Sequence, residues 1–166
     1  MDTTVQKKLC VGWFTFTCCE DSTVIFTELL NDHWREWKKL IDFRHARVLK
    51  SHNVLDELDV AFVEGALSSQ AHIDKLKEIR QKSKKIVAVG SCAVVGLPSA
   101  QRNTFGPEDT EAIREPYLEK FKYLPKVLKL ADVVKIDAQL PGCPMDPKQF
   151  LALLDNVLKE FGITKQ

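Results

Sequence analysis

Residues 85–96 read KIVAVGSCAVVG, and this stretch decides the fold. Ile86 to Val89 is short and apolar throughout, as a strand covered on both faces is. The run breaks at Gly90 and presents Cys92 two residues later. The same pattern occurs twice more. KLCVGWFTF (8–16) runs into Cys18 and Cys19, and VVKIDAQ (133–139) runs into Pro141-Gly142-Cys143. In an open parallel sheet, sites form in the crevice outside the carboxyl ends of the strands. Three strand ends therefore bring four thiols to one crevice.

Working outward from these stretches, strands and helices alternate. A first strand is expected from Leu9 to Phe16, followed by a helix capped by Asp21 or Ser22 and carrying Val24, Ile25, Leu29 and Leu30. The charged, aromatic stretch NDHWREWKKLIDFRH (31–45) leads to a short strand at Ala46 to Leu49. DVAFV (59–63) reads as a buried strand closed by Glu64-Gly65. Ser68 or Ser69 caps the next helix, which runs through Ile73, Leu76 and Ile79 to Lys82. A strand from Lys85 to Val89 follows, then a long, turn-rich loop from Pro98 to Tyr117 with room for a short helical piece. Ala131 to Ile136 is expected as the last strand. Pro147 opens a final amphipathic helix of Phe150, Leu151, Leu154, Val157, Leu158 and Phe161, stopped at Gly162. This order predicts a doubly wound, flavodoxin-like α/β sheet in a single domain spanning residues 1–166.

Bulk properties narrow the function classes. The 166 residues are 45% hydrophobic and 28% charged, with a formal net charge of +1. No global field favours nucleic acid or an anionic membrane. No apolar run approaches the roughly 20 residues that span a bilayer. MDTTVQKKLC has neither the apolar core of a signal peptide nor a twin arginine, so the cytoplasm is the expected compartment. There, cysteine groups bind metal or do redox work more often than they form structural disulfides. An odd count of five cysteines also fits a disulfide framework poorly.

Soft thiolates select iron–sulfur clusters, zinc or copper(I). A four-cysteine zinc site normally shows CxxC knuckles, and this chain has none. Adjacent Cys18 and Cys19 aim poorly at one small ion, whereas two irons of a cuboidal cluster offer corners far enough apart. Gly90 and Gly142 would let backbone approach the cluster closely. The plainer alternative treats cysteine as a small buried hydrophobe, and it is preferred for Cys10 in the middle of the first strand.

These blocks carry a resemblance. VGWFTFTCC, DVAFVEGALSS, VAVGSCAVVGLPSAQRN and PGCPMDPKQF, in that order over nearly the whole chain, resemble the small subunit of nickel–iron hydrogenases and the homologous cluster-bearing, 20 kDa-type subunit of respiratory complex I. Hydrogenase relatives usually open the ligand set with CxxC. Here the second position of that pair is Ser22, and the tandem Cys18-Cys19 is similar to the complex I pattern. The resemblance implies a single 4Fe-4S cluster held by Cys18, Cys19, Cys92 and Cys143. It also implies a non-catalytic electron-transfer role beside a hydrogenase-like large subunit, with further iron–sulfur or flavin subunits as electron partners. With no cysteine after Cys143, ligands for one cluster are available.

Glu20 and Asp21 follow the cysteine pair, and Glu64 ends a strand beside the same crevice. Each could move protons or tune a cluster; the duller roles are helix capping for the first two and a solvated strand end for Glu64. Arg102 and Asn103 are candidate hydrogen-bond donors to the cluster or to a partner. The basic and aromatic stretch from Trp34 to Lys50 suits a partner contact better than nucleic acid. Two other readings remain open: a flavodoxin-like module holding FMN or only a partner, and a thiol/disulfide redox protein cycling Cys18 and Cys19.

Overall fold

A computed structural model describes residues 7–163; the N-terminal residues read above for a leader, 1–6, and the last three lie outside it. Five parallel strands form the central sheet: β1 (Leu9–Thr15), β2 (Ile41–Ala46), β3 (Leu58–Glu64), β5 (Ser83–Val89) and β7 (Ala138–Leu140). Their spatial order is β2-β1-β3-β5-β7. Numbering these five alone along the chain gives 2-1-3-4-5, the flavodoxin-like order. A separate antiparallel pair, β4 (Leu67–Ser69) with β6 (Tyr123–Leu128), flanks the carboxyl ends of the sheet.

Helices cover both faces. On one side α1 (Asp21–Leu40) and α5 (Pro147–Glu160) enclose Trp13, Phe26, Trp37, Phe62 and Phe150. On the other, α2 (Gln70–Lys82) and the short α3 (Gly90–Val95) pack Leu76, Ile79 and Ala93 against Phe14, Ala61 and Ile86. Every residue of β3 is buried, as a central strand with two covered faces requires. Along β1, Trp13 faces the first core and Phe14 the second, the period-2 alternation of a strand. A Cβ at Gly12 would overlap the Phe14 ring and the Leu58 side chain, so close packing explains that glycine.

Several expectations need correction. The charged stretch after Leu30 continues α1 to Leu40, because Phe26, Leu30 and Trp37 share a buried face while the charges stay wet. The second strand is consequently Ile41–Ala46, and residues 47–49 form a turn. The last strand is Ala138–Leu140. Leu130–Asp132 is a 3-10 turn, and Val133, Val134 and Ile136 pack on the core as loop. Asp137 sets the register of that strand: its N–H donates to the Ile86 carbonyl, and its carboxylate accepts from the Ile86 N–H at 2.8 Å and from Arg80. The stretch from 98 to 117, expected as a loop with a short helical piece, does hold helical structure: a 3-10 turn (Gln101–Thr104), then α4 (Pro107–Ile113) running into a π-turn at Arg114–Glu119. Ser69 caps α2 by accepting from the His72 N–H, and Asp146 caps α5 by accepting from the Gln149 N–H. No helix among the described residues is long and apolar enough to cross a membrane.

Candidate metal centre

Each cysteine loop is anchored to another before its thiol is presented. Beyond β1, the Phe16 N–H donates to the Glu64 carbonyl, and Thr17 and Ala66 exchange both backbone bonds. Chain leaving β1 is thus pinned to chain leaving β3. Cys18 and Cys19 follow at once, and Glu20 turns the chain into α1 with a φ of 63°. Gly90, at φ +80°, opens α3 and puts Cys92 inside, 6% exposed. The Ser91 N–H donates to the Gly142 carbonyl at 2.7 Å, joining the β5 loop to the β7 loop. Met145 then donates its N–H to the Ser22 hydroxyl at 3.2 Å, joining the β7 loop to α1.

The outcome is one depression at the carboxyl edge of the sheet, lined by Cys18, Cys19, Cys92 and Cys143 together with Glu64. Cys92 is buried, Cys18 half-buried, and Cys19 and Cys143 exposed. The sulfurs of Cys19 and Cys143 and a carboxylate oxygen of Asp21 lie within 4.8 Å of one another. Two donors point at the inner sulfurs. The Glu20 N–H lies 3.4 Å from Cys18 Sγ, and the Ser99 hydroxyl lies 3.2 Å from Cys92 Sγ and 2.9 Å from the Thr17 carbonyl. All five cysteines are free thiols. Cys10 sits in β1 with its N–H on the Asp59 carboxylate, away from this edge.

Burial, then the nearby Glu64 carboxylate, pushes the Cys18 thiol up to about 12. For Cys19 a backbone N–H of Asp21 pulls the pKa down, but the Asp21 side chain and burial outweigh it and the net shift is upward. Uncoordinated, both are protonated thiols at neutral pH.

Glu64 departs from its expected setting. It is 3% exposed, and its carboxylate accepts from the N–H groups of Ser22 (3.0 Å) and Thr23 (3.1 Å) and from the Thr23 hydroxyl (2.7 Å). It therefore performs the N-terminal capping of α1 that was assigned to Asp21 or Ser22, and complements the positive end of the helix. Arg102 does not line the depression. Its Nη2 donates to the Leu124 carbonyl and it stacks over Tyr123, while Asn103 pairs with Val127 through both its amide atoms. Both tie the 3-10 turn to β6. Ser99 was missed, since nothing local marks a serine seven residues beyond Cys92 as its neighbour.

Residues 18–157 match the family described as NADH ubiquinone oxidoreductase, 20 Kd subunit. The chain belongs to this family. It is 34% identical over 111 residues to the coenzyme F420 hydrogenase subunit gamma of Methanosarcina barkeri, covering 66% of this chain and 35% of that one. It is 31% identical over 116 residues to the NAD-reducing hydrogenase HoxS subunit delta of Cupriavidus necator, covering 60% and 54%. The chain thus matches about half or less of the length of these relatives. Among solved structures, a chain of an NAD+-reducing [NiFe]-hydrogenase in the H2-reduced state superposes with a TM-score of 0.77 at 21% identity, covering 96% of this chain and 95% of that one. At that identity the likeness is one of fold.

Proposed function

We propose that this chain is an electron-transfer subunit of a hydrogenase-type oxidoreductase complex, holding one 4Fe-4S cluster on Cys18, Cys19, Cys92 and Cys143. The observation that carries the reading is the convergence of these four thiols, from three strand ends, on one depression. Family membership and similarity to hydrogenase subunits support the setting in a complex. A hydrogenase-like large subunit is the expected neighbour, with other iron–sulfur or flavin subunits completing the electron path.

The donor set suits the group. Four soft thiolates fit an iron–sulfur cluster, and a polynuclear cluster accommodates the tandem pair that a single small ion would not. Gly142, at φ +132°, keeps backbone clear where a Cβ would collide with Pro144, so the Cys143 loop can close tightly. When bound, the cluster would store and release one electron at a time. The protein's own part is position and potential. The Glu20 N–H would stabilise added negative charge on Cys18 Sγ, and the Ser99 hydroxyl, whose single hydrogen is shared between the Thr17 carbonyl and Cys92 Sγ, would do so on the second inner sulfur when turned to it, while buried Glu64 would oppose it. Exposed Cys19 and Cys143 mark the side open to a partner. Val95 and Leu97, 59% and 49% exposed at and just beyond the end of the helix that carries Cys92, offer a further apolar contact.

Iron and acid-labile sulfide on anaerobically purified chain, expressed alone and with its partner, test the reading, together with EPR after dithionite reduction. About four irons per chain and a spin-half signal in either preparation support it, and Cys10→Ser should leave both unchanged. Absence of iron from both preparations rejects the ligand set.

A further inference from the structure

A second cavity lies outside the cysteine depression, across the first turn of α1 from it. It has a volume of about 530 Å³ and opens at the carboxyl ends of β1 and β2, with α2 forming its far wall. Ligand pockets run from roughly 300 to 1,000 Å³, and in open α/β sheets they gather where strand order reverses. In this sheet the reversal falls at β1 and β3, and the cavity lies beside it, bounded by β1 and by α2, the helix that follows β3 and β4.

The lining is selective. Phe14 stacks on His45 with centroids 4.2 Å apart and planes at 23°, and Phe16 lies 5.3 Å from His72. The rings of both pairs line the cavity. The His45 Nδ1–H is spent on the Trp13 carbonyl at 3.2 Å, which fixes that ring. Cations gather at one end: Arg47, from the turn after β2, and Lys75, from α2, both act on His45. Lys75 pairs with Glu78 at the surface, whereas Arg47 makes no ion pair among the described residues. Glu20 brings the opposite sign to the α1 side. A ligand that satisfies this lining has a flat aromatic body, an N–H-bearing edge and one anionic group.

The anion has one place to go. In a flavodoxin-like fold the N-terminus of the first helix is the natural phosphate seat, but Glu64 already occupies the Ser22 and Thr23 N–H groups. Arg47 and Lys75 are the remaining positive groups. We propose that this cavity binds a mononucleotide, with its aromatic ring against the Phe14–His45 and Phe16–His72 faces and its phosphate on Arg47 and Lys75. The binding does not depend on whether the cysteines hold iron.

Isothermal titration of the full chain with FMN, AMP, riboflavin and inorganic phosphate tests it. Arg47 and Val48 lie in an exposed turn, so Arg47→Glu and Val48→Trp can reverse the charge and fill the cavity without touching the core. FMN or AMP should bind with a Kd below about 100 μM. Arg47→Glu should weaken it about tenfold or more, and Val48→Trp should abolish it at unchanged melting temperature. Which nucleotide binds identifies the ring as isoalloxazine or purine. The proposal is overturned if neither nucleotide binds, if riboflavin binds as well as FMN, or if both variants bind like the parent chain.

Discussion

The Glu64 carboxylate accepts the Thr23 hydroxyl proton at 2.7 Å, across 41 residues of sequence, and so bolts the carboxyl end of β3 to the first turn of α1. That turn directly follows Cys18 and Cys19, so the bolt also fixes the first two thiols relative to the third. Glu64→Ala leaves three donors without an acceptor in a buried place. The expected cost is about 3 kcal/mol, from unsatisfied buried donors and a lost helix cap. For a chain of this size that lowers the melting temperature by roughly 6–12 °C. Glu64→Gln keeps one acceptor oxygen and should cost about 1 kcal/mol. Thermal melts of both variants check this, and two parental curves would remove Glu64 from its capping role.

Gly90 tests the close approach of the loops. Its φ of +80° is unfavourable for a side chain, and a Cβ there would lie 3.1 Å from the Ser22 hydroxyl and 3.6 Å from the Gly142 carbonyl. Gly90→Ala combines left-handed strain of roughly 1–2 kcal/mol with pressure on the contacts that hold α1 and the Cys143 loop together. The expected result is a melting temperature lowered by about 2–8 °C and a lower iron content per chain. Full iron and an unchanged melt would show that the loops do not need this approach.

Acid should destabilise the fold in two windows. Burial lowers the pKa of His45 below the ordinary 6.5, assisted by Lys75, Arg47 and Lys50 and opposed by its bond to the Trp13 carbonyl; burial does the same to His72. Below about pH 6.5 the unfolded chain takes up protons that the folded chain resists, so stability is full above that pH and declines on acidification. The carboxylates of Asp59 and Asp137 act lower. Burial raises their pKa values, but Lys84 and the Cys10 N–H for Asp59, and Arg80 and the Ile86 N–H for Asp137, hold both below the ordinary 3.8. Their stabilisation is present above that value and is lost as pH falls through the folded-state pKa values. Denaturant midpoints measured from pH 7.5 to 3 should fall in both windows. His45→Gln should flatten the upper one, and an unchanged upper slope in that variant would assign it elsewhere.

The convergence of the candidate site is legible in the sequence, and the reason is local. Cys18, Cys92 and Cys143 each follow an apolar run within a few residues, so strand ends and thiols are marked by neighbouring sequence. Parallel pairing then requires all of them to face one edge. What stayed hidden depends on distant partners. Glu64 caps a helix that begins 43 positions earlier, and no local pattern announces a cap supplied from another strand. The outer face of α1 carries so much charge that it obscures the wide spacing of Phe26, Leu30 and Trp37, so the sequence predicts a shorter helix. Val133, Val134 and Ile136 are apolar and so predict a strand before Ala138, although they pack as loop. Strand register there is set by Asp137, a polar residue whose role depends on Arg80 and Ile86.

Asp21 gives the sharpest electrostatic test of the cysteine site. Its carboxylate lies within 4.8 Å of the sulfurs of Cys19 and Cys143, on the exposed side of the depression. A negative charge so placed disfavours the reduced, more negative form of any cluster held there. Asp21→Asn removes the charge with little change in shape. A unit charge about 4 Å away in water corresponds to roughly 40 mV for a one-electron couple, so the midpoint potential should rise by about that amount. The rise should shrink at high salt, since the carboxylate is exposed to screening. Asp32→Asn, near the middle of the same helix, serves as control and should leave the potential in place. Redox titration monitored by EPR reads both variants. Equal shifts in the two would mean that the effect belongs to overall charge, and no shift in Asp21→Asn would place the redox centre away from Cys19 and Cys143.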